Sequence, residues 1–241
     1  MLSYTLGENV PDSIAESLAS NDLFRSLSPQ ALEVIARRCR SGRFLSGENI
    51  VMHQDGSTEV FFILSGAVRV LLYSPSGKEI SFRDMLAGEF FGELAAIDGQ
   101  SRSANVVALE NTSLAILSSE AFWDILRSNA DVSSNLIKRL AQLIRFYSMR
   151  LYEFGTLGVE HRIHAELLRL SQGHLLEDNT AVITPVPTHA VIASRISTRR
   201  EAVARELSAL TKSGLLIRKT KSLIISDIKK LKAMVEEVRG E

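Results

Sequence analysis

The sequence predicts an α+β chain in which short strands, one long helix and a compact helical region follow one another. Glycines recur at intervals of 9 to 11 residues between 47 and 99, with short apolar runs between them, which is typical of sandwiches and barrel-like rolls. Apolar residues then repeat at heptad spacing over 137–154, as in helices that pair with another helix. Two short amphipathic segments, followed by two strand-like runs, predict a C-terminal winged helix-turn-helix.

The composition excludes several classes of protein. Cys39 is the single cysteine among 241 residues, which excludes a disulfide framework within one chain, a CxxC zinc site and a four-cysteine iron–sulfur cluster. Asp12 and Glu16 interrupt the region where a signal peptide would have its apolar core, and no run of about 18 apolar residues could span a membrane. We therefore expect a cytoplasmic protein with no membrane partner. Residues 151–241 carry 14 basic and 11 acidic side chains (14 − 11 = +3), which favours an anionic partner.

The N-terminal part has a helical pattern that changes to strands after Arg43. Apolar residues lie at helical spacing in "SIAESLASNDLFRSL", and Ser28 with Pro29 predicts the N-cap and first residue of a further helix. Runs such as "EVFFIL" and "AVRVLLY" then predict strands, with a hairpin loop at 74–79. Strand-like residues continue to 117, and a helical pattern returns at Ser119.

The next segment carries a heptad pattern. Its apolar residues, at alternating spacings of 3 and 4, are Ile137, Leu140, Ile144, Tyr147, Leu151 and Phe154. The pattern fits either a helix packed on its own domain or one paired with a second chain. Its strict alternation and its position between two domain-like regions favour a homodimer formed through 131–154. The sequence "GTLG" at 155–158 predicts a break and a hinge.

The segment 188–214 predicts two helices joined by a short turn. Thr198 and Glu201 match a capping box at the start of the second helix. The predicted buried positions are Ala190, Ile192, Ala193 and Ile196 in the first helix, and Ala202, Val203, Leu207 and Leu210 in the second. Downstream, "LLIRKTKSLIIS" predicts two strands joined by a basic turn, and Asp227 predicts the cap of a last helix.

This helix pair has charged residues where a helix-turn-helix protein contacts DNA bases. Arg199, Arg200, Glu201 and Arg205 occupy the start and the exposed face of the second helix. Arginine suits guanine and glutamate suits cytosine in the major groove, and Lys219 in the basic turn suits a phosphate. The alternative is a solvated helix face in which Glu201 and Arg205 form an i,i+4 pair. The predicted wing and the heptad helix favour DNA binding.

A second unusual stretch is "FGELAAIDGQSRSANV", 91–106, in which Glu93 and Arg102 lie among small and apolar residues. Together with "REAVARELSALTKSGLL", it resembles the CRP/FNR family of bacterial transcription factors, in the branch of the cyclic AMP receptor proteins. The resemblance covers roughly 25–225. The sequence 91–106 resembles that family's phosphate-binding cassette, and we call it the cassette below.

The resemblance implies a division of the chain and a ligand. It implies a cyclic-nucleotide-binding β-roll with flanking helices at 1–130, a dimerisation helix and hinge at 131–158, and a winged helix-turn-helix DNA-binding domain at 159–241. Within the cassette, Glu93 would accept the ribose 2′-hydroxyl and Arg102 would pair with the cyclic phosphate. The nucleotide contacts are completed by backbone N–H groups near Gly92 and Leu94 and by the Ser103 hydroxyl. The alternative is a Glu93–Arg102 salt bridge that closes a loop.

The base of the nucleotide would lie against the long helix. The family has Thr-Ser where this chain has Tyr147 and Ser148. Ser148 matches the family and would reach the base bound by the other subunit, whereas Tyr147 departs from it and also fits dimer packing. Ser103 can in addition contact a guanine amino group. We therefore expect cyclic AMP as the first ligand and cyclic GMP as the second.

The resemblance also implies DNA contacts and partners. Arg200, Glu201 and Arg205 match the three base-reading positions, so the implied site is an inverted repeat of TGTGA-like half-sites on double-stranded DNA. Thr188 and Arg199 would contact phosphates, and RNA polymerase would be a further partner. The family's turn glycine is replaced by Ser197, which requires either a negative φ or some strain.

The remaining polar residues predict neither a catalytic site nor a metal site. No nucleophile–base pair or carboxylate dyad is evident, and His161 with His164 at i,i+3 lacks further ligands. We therefore do not expect an enzyme. Three alternatives stay open: a family sensor of haem, gas or a metabolite, with His53 or Cys39 as a haem ligand, a DNA-binding protein without a ligand, and a cyclic-nucleotide-binding subunit of an enzyme.

Overall fold

The computed structural model describes residues 13–239 and confirms the predicted α+β fold. The chain folds into two compact units. The first unit consists of residues up to 73 and residues 82–143. The second consists of 74–81 and the residues from 144 onward.

The N-terminal part is a roll of antiparallel strands with helices before and after it. Its helices are α1 (Ser13–Ala19), α2 (Pro29–Arg38), α3 (Glu93–Asp98) and α4 (Ser119–Ser128). Its strands are β1 (Arg40–Phe44), β2 (Asn49–Val51), β3 (Val60–Ser65), β4 (Ala67–Tyr73), β5 (Glu79–Leu86), β6 (Phe90–Phe91), β7 (Asn105–Ala108) and β8 (Thr112–Leu117). They form two four-stranded sheets, in the orders β1-β8-β3-β6 and β2-β7-β4-β5.

Local chemistry accounts for the elements that the sequence predicted in this part. Ser28 caps α2, since its Oγ accepts a hydrogen bond of 3.3 Å from the Ala31 amide, and Pro29 begins the helix. Gly66 turns β3 into β4 with a φ of +85°, where a Cβ would come within 2.6 Å of the Asn111 carbonyl oxygen. Serine is a preferred N-cap residue, and glycine adopts a positive φ without steric strain, so both features follow from the residue types at these positions.

Aromatic and aliphatic side chains fill the core of the first unit. Phe24, Phe62 and Phe122 are fully buried there, and burial of such side chains is the main source of stability. Cys39 joins this core, where its thiol donates to the Ile35 carbonyl over 3.4 Å. Burial raises the pKa of the Cys39 thiol to about 12.

The long helix α5 (Ala130–Thr156) confirms the predicted helix but ends later than expected. Gly155 and Thr156, predicted to break it, are helical, and Leu157 still donates its amide to the Glu153 carbonyl over 2.9 Å. Glycine inside a helix costs only about 1 kcal/mol relative to alanine, so one glycine does not end a helix of this length. The non-helical link to the next helix is therefore limited to residues 157–158.

The C-terminal part contains the predicted helix pair and wing. Its helices are α6 (Val159–Ser171), α7 (His189–Arg195), α8 (Arg200–Lys212) and α9 (Ile228–Arg239), and its strands are β9 (Ala181–Ile183), β10 (Leu216–Arg218) and β11 (Leu223–Ile225). The strands form one antiparallel sheet in the order β10-β11-β9. Asp227 caps α9 as predicted, because its Oδ1 accepts from the Lys230 amide over 2.9 Å.

Two details of the helix pair differ from prediction. The capping box was wrong, because the N-cap of α8 is Arg199, which makes no side-chain capping bond. Glu201 is thus the second helical residue rather than the third, which a capping box requires. The predicted apolar faces are confirmed except that Ala190 is exposed and Ala202 is half-buried.

Candidate functional site

The cassette lies between β6 and β7 and contains the short helix α3. Gly92 precedes α3 with a φ of +88°, in the left-handed region. A Cβ at this position would come within 2.6 Å of the Glu59 carbonyl oxygen and 2.8 Å of Arg102 Nη1. Glycine is therefore required here for two reasons, the backbone conformation and the close approach of the arginine.

Arg102 is held in one orientation by the protein. Its side chain is 3% exposed, its Nε donates to Ser57 Oγ over 3.0 Å, and its Nη1 donates to the Gly92 carbonyl over 3.1 Å. Nη2 lies 3.5 Å from Glu59 Oε2, and the guanidinium lies 5.4 Å from the ring centroid of Phe61. Arg102 thus forms an ion pair with Glu59, a residue that the sequence analysis did not assign to this site.

Sequence reasoning missed the residues that support Arg102. Ser57 and Glu59 lie just before β3 and Phe61 lies within it, more than 40 residues before Arg102 in the chain. The local sequence carries no signal for this contact, because only the pairing of strands brings the two segments together. A charged residue just before an apolar strand, as at Glu59, is too common to identify a partner.

Glu93 begins α3 and is buried, with 9% of its surface exposed. Burial raises the pKa of its carboxyl, although a hydrogen bond from its own backbone and the positive charges of Arg83, Arg139 and Arg102 partly oppose this effect. Desolvation disfavours the charged form of an acid, which explains the direction. A buried carboxyl group of this kind can bond to a hydroxyl group of a ligand.

The other predicted nucleotide contacts lie at exposed positions. The side chains of Leu94 and Ser103 are exposed, beside the buried Glu93 and Arg102. Tyr147 and Ser148 are also exposed, on the part of α5 that belongs to the second unit. Tyr147 packs edge-on against Phe146, with 5.2 Å between ring centroids. The structure thus brings Gly92, Glu93 and Arg102 together in one site within the first unit.

The predicted DNA-contacting residues lie on one helix pair. Thr188 caps α7, because its Oγ1 accepts from the Val191 amide over 3.2 Å. Arg199, Arg200, Glu201 and Arg205 are exposed, and no ion pair joins Glu201 to Arg205 in the described part of the chain. The i,i+4 pair of the alternative interpretation is therefore not formed. Ser197 adopts a φ of +53° in the turn, so the serine accepts the strained conformation that the family's glycine would adopt freely.

The wing adds positive charge to the second unit. Lys219 is exposed in the turn between β10 and β11, and its amide donates to the Ser222 carbonyl over 2.9 Å. Burial lowers the pKa of His189, and the positive charges of Arg218 and Arg200 lower it further. The lowered pKa favours the neutral form of His189, whose ring lies near the positive charges of Arg200 in α8 and Arg218 in β10.

Among residues 13–239, His, Cys, Asp and Glu side chains do not form any group of three or more that could hold a metal ion. None of the helices described there is both long and apolar enough to cross a membrane.

Two family models match the chain. The cyclic nucleotide-binding domain matches residues 42–129, which include the cassette. The Crp-like helix-turn-helix domain matches 161–234, which include the helix pair and the wing. Together they give a cyclic nucleotide-binding domain followed by a helix-turn-helix domain.

Curated relatives match along most of the chain. The "CRP-like cAMP-activated global transcriptional regulator" of Mycobacterium tuberculosis is 24% identical over 217 residues, which cover 90% of this chain and 97% of that protein. The "Cyclic AMP receptor protein" of Thermus thermophilus is 27% identical over 199 residues, which cover 83% of this chain and 89% of that protein. The first relative is named as a transcriptional regulator and the second as a receptor of cyclic AMP, in agreement with the prediction that this chain is not an enzyme.

Solved structures match the fold. The catabolite activator protein of Thermus thermophilus has a TM-score of 0.53 and 25% identity, and the match covers 90% of this chain and all (100%) of that one. A mutant of CooA from Carboxydothermus hydrogenoformans has a TM-score of 0.76 and 20% identity, with 96% and 98% of the two chains covered. The two matched domains, the relatives and the shared fold lead to one conclusion: this chain belongs to the CRP/FNR family of transcription regulators, with a cyclic nucleotide-binding domain followed by a Crp-like helix-turn-helix domain.

Proposed function

We propose that this protein is a homodimeric transcription regulator controlled by cyclic AMP, which binds a palindrome of TGTGA-like half-sites. The observation that carries the ligand assignment is the geometry of Arg102. A guanidinium group that is 3% exposed and fixed by Ser57 and Gly92 is preorganised for an anion, and its planar fork suits two phosphate oxygens. Relatives named as cyclic AMP-activated regulators support the same ligand.

Each cassette residue has a distinct part in this proposal. Arg102 pairs with the cyclic phosphate, and the backbone N–H groups near Gly92 and Leu94 donate to the same anion. Glu93 accepts the ribose 2′-hydroxyl, and the exposed Ser103 hydroxyl completes the phosphate contacts. Because Arg102 and Glu93 are buried, these contacts form where water competes weakly and electrostatic interactions are strong.

The base contacts are the part of the proposal that decides between nucleotides. Ser148 reaches the base bound by the other subunit, whereas Tyr147 occupies the position of the family's threonine. The Ser103 Oγ can also accept a hydrogen bond from the amino group of guanine in a syn nucleotide. Cyclic AMP is therefore the first ligand, and cyclic GMP is the second.

Helix α5 provides the proposed dimer interface. Its heptad positions include Ile137, Ile144 and Leu151, which are 66%, 67% and 74% exposed in the single chain. A continuous row of exposed aliphatic side chains on one helix is typical of an interaction surface. Knobs-into-holes packing of two copies along 131–154 would bury this row.

The second unit binds double-stranded DNA through the major groove. Arg200, Glu201 and Arg205 read bases, while Thr188, Arg199 and Lys219 contact phosphates. The exposure of the three base-reading side chains supports their availability, and a dimer places two such helices one DNA turn apart. RNA polymerase as a further partner and a cytoplasmic location complete the proposal, which involves no metal.

Nucleotide binding controls DNA binding through α5 in this proposal. The helix begins among residues of the first unit and ends among residues of the second. A ligand shifts the protein between two states only by its difference in affinity for them. The contacts between the nucleotide and α5 depend on the position of the helix. They therefore give the nucleotide a different affinity for each of the two states.

A second candidate is a regulator of the same family that senses another ligand. The departure at Tyr147 favours it, because this position faces the base. A structural neighbour of 20% identity and a TM-score of 0.66 is described as a c-di-GMP responsive regulator of Xanthomonas campestris. Haem or a metabolite would be further ligands of this class.

The test is a titration of both nucleotides combined with DNA binding. Calorimetry measures the affinity for cyclic AMP and for cyclic GMP. Fluorescence anisotropy then measures binding to a labelled TGTGA palindrome and to a scrambled duplex of equal length, at fixed salt, with and without each nucleotide. Tighter binding to the palindrome with cyclic AMP is expected. Nucleotide binding without any effect on DNA, or no nucleotide binding at all, would contradict the proposal, and the latter would favour a different ligand.

A further inference from the structure

A buried cluster of charged side chains joins three helices of the second unit. Its members are Arg150 and Glu153 of α5, Glu166 and Arg169 of α6, and Arg195 of α7. Arg150, Glu153 and Glu166 are 8%, 1% and 4% exposed. Burying several charges is costly unless each is paired, so these side chains constrain the helices that carry them.

Arg150 is the member of the cluster that connects α5 with α7. Its Nη1 donates to Glu166 Oε2 over 3.1 Å and lies 3.6 Å from Glu153 Oε2. Its Nη2 donates to the backbone carbonyl of Arg195. The guanidinium also lies 5.1 Å from the ring centroid of Phe154. The two terminal nitrogens of the Arg150 guanidinium therefore donate to different acceptors, Nη1 to a carboxylate and Nη2 to a backbone carbonyl.

The carbonyl that Arg150 reaches lies at a sensitive point of the fold. Arg195 is the last residue of α7, and the last carbonyls of a helix have no partner within the helix. Residues 196–199 then form the turn to α8, in which Ser197 has its φ of +53°. A charge-assisted hydrogen bond at this carbonyl is stronger than one between neutral groups. Arg150 thereby fixes the position of the C-terminal end of α7. The direction of α8 depends on this position, because the turn that leads to α8 begins there.

The side chain of Arg195 returns to the same cluster. Its Nη1 donates to Glu166 Oε1 over 3.1 Å, so Glu166 holds both Arg150 and Arg195. Arg169 completes the cluster, with its Nε 3.0 Å from Glu166 Oε2 and its Nη1 2.9 Å from both carboxylate oxygens of Glu153. A shift of Arg150 would break several buried charge-assisted bonds together, which favours two discrete arrangements over gradual movement.

We propose that Arg150 is a positioning residue that transmits the state of α5 to the recognition helix α8. The inference rests on the proposed function, because it assigns a route from the nucleotide to the DNA-binding residues. Arg150 lies two residues beyond Ser148 on the same continuous helix. A change in the position of α5 on nucleotide binding moves its guanidinium, the end of α7 follows, and the turn at Ser197 reorients α8.

The variants that test this are Arg150→Met, Arg150→Lys and a matched control, Arg145→Met, in the full chain. Arg145 is exposed on the same helix, so its removal changes the same charge on α5 without affecting the cluster. The measured quantity is the ratio of the DNA dissociation constants without and with saturating cyclic AMP. Allosteric ratios are commonly about 5 to 150. We expect the ratio to fall towards 1 in Arg150→Met, to be intermediate in Arg150→Lys, which keeps the charge without the fork, and to stay unchanged in Arg145→Met.

Hydrogen exchange provides a second readout that does not depend on the nucleotide. Amides of residues 196–200 should exchange faster in Arg150→Met than in wild type or Arg145→Met, with circular dichroism unchanged. If wild type shows no response to nucleotide, the proposed function fails, while exchange at 196–200 still decides whether Arg150 positions the turn. Exchange at 196–200 equal to wild type in both Arg150 variants, or a wild-type DNA ratio in Arg150→Met, would overturn the inference.

Discussion

The cassette and the recognition helix use the same residue types in opposite surroundings. Arg102 and Glu93 are buried, and Arg102 is already held by protein atoms. Arg200 and Arg205 are exposed, and no ion pair holds either of them within the part of the chain that the structure describes. The difference suits the two ligands that we propose. A small anion is enclosed by its site, whereas a DNA groove must be reached by side chains that extend from a surface.

The two surroundings also imply different energetics. Buried charges interact strongly and are little affected by salt, whereas exposed charges are screened within about 8 Å at physiological ionic strength. Nucleotide affinity should therefore depend weakly on salt, while DNA affinity should fall steeply with it. Variants of both sites test this difference, and their expected effects range from large for Arg102 to small for Ser197.

Arg102→Leu should give the largest effect. Loss of one partner of a buried charge pair costs about 2–5 kcal/mol, so we expect cyclic AMP affinity in calorimetry to fall by more than about tenfold. Arg102→Lys should be impaired as well, because it keeps the charge but lacks the fork that Ser57 and Gly92 orient. Arg43→Leu, at an exposed position of β1, is the control. Unchanged nucleotide affinity with native circular dichroism in Arg102→Leu would contradict the cassette assignment.

Glu93→Gln should affect nucleotide binding and stability in opposite directions. Hydrogen bonds to charged groups contribute about 1.5–3 kcal/mol, so cyclic AMP affinity should fall by at least about tenfold. Since burial raises the pKa of Glu93, the folded protein holds the proton more tightly than the unfolded chain. The contribution of the Glu93 carboxyl to the free energy of unfolding therefore decreases as the pH rises from the ordinary glutamate pKa through the pKa in the folded protein. Glu93→Gln has no carboxyl group and so does not lose stability in this way.

The measurement for Glu93→Gln is urea unfolding without nucleotide, at pH values below and above this range. The variant should be at least as stable as wild type at neutral pH and should show a weaker pH dependence. A variant that is less stable than wild type at neutral pH, with the same pH dependence, would show that the buried carboxyl is not under strain from desolvation.

Arg205→Ala and Lys219→Ala should separate base reading from phosphate contact. Loss of the base-reading arginine should cost about 1–3 kcal/mol at the TGTGA palindrome and relax specificity there. Loss of the wing lysine should weaken binding to the palindrome and to scrambled DNA equally and reduce the salt slope by about 1. Anisotropy on both duplexes at several salt concentrations distinguishes these patterns. Equal losses on both duplexes for Arg205→Ala would assign that residue to a phosphate instead.

Ser197→Gly should give the smallest effect, and a favourable one. A left-handed conformation costs a non-glycine residue about 1–2 kcal/mol, and glycine offsets part of this gain because its unfolded chain is more flexible. We expect the urea midpoint to rise slightly and DNA affinity to stay unchanged. Gly214→Ser, at a φ of +77° with no atom within 4 Å of its Cβ position, is the reverse control and should lower the midpoint.

Features that depend on local sequence were predictable, and those that depend on distant segments were not. The cap formed by Ser28, the heptad helix and the cassette follow from patterns within a few residues of each other. Ser57, Glu59 and Arg150 were missed because their partners lie far away in the chain and meet them only after folding. The predicted boundary at Thr198 was displaced by one residue, since Arg199 still has extended dihedral angles, φ −100° and ψ 148°.

The surroundings of Cys39 have a practical consequence for labelling experiments. Burial raises the pKa of this thiol to about 12, so the thiolate, which is the form that reacts with maleimides, is scarce at neutral pH. Its side chain is also enclosed by the core, at 7% exposure. Cysteines introduced at exposed positions such as Arg145 or Lys219 should therefore react selectively in the native chain. Pairs of fluorophores could then follow movements between α5 and the wing without first replacing Cys39.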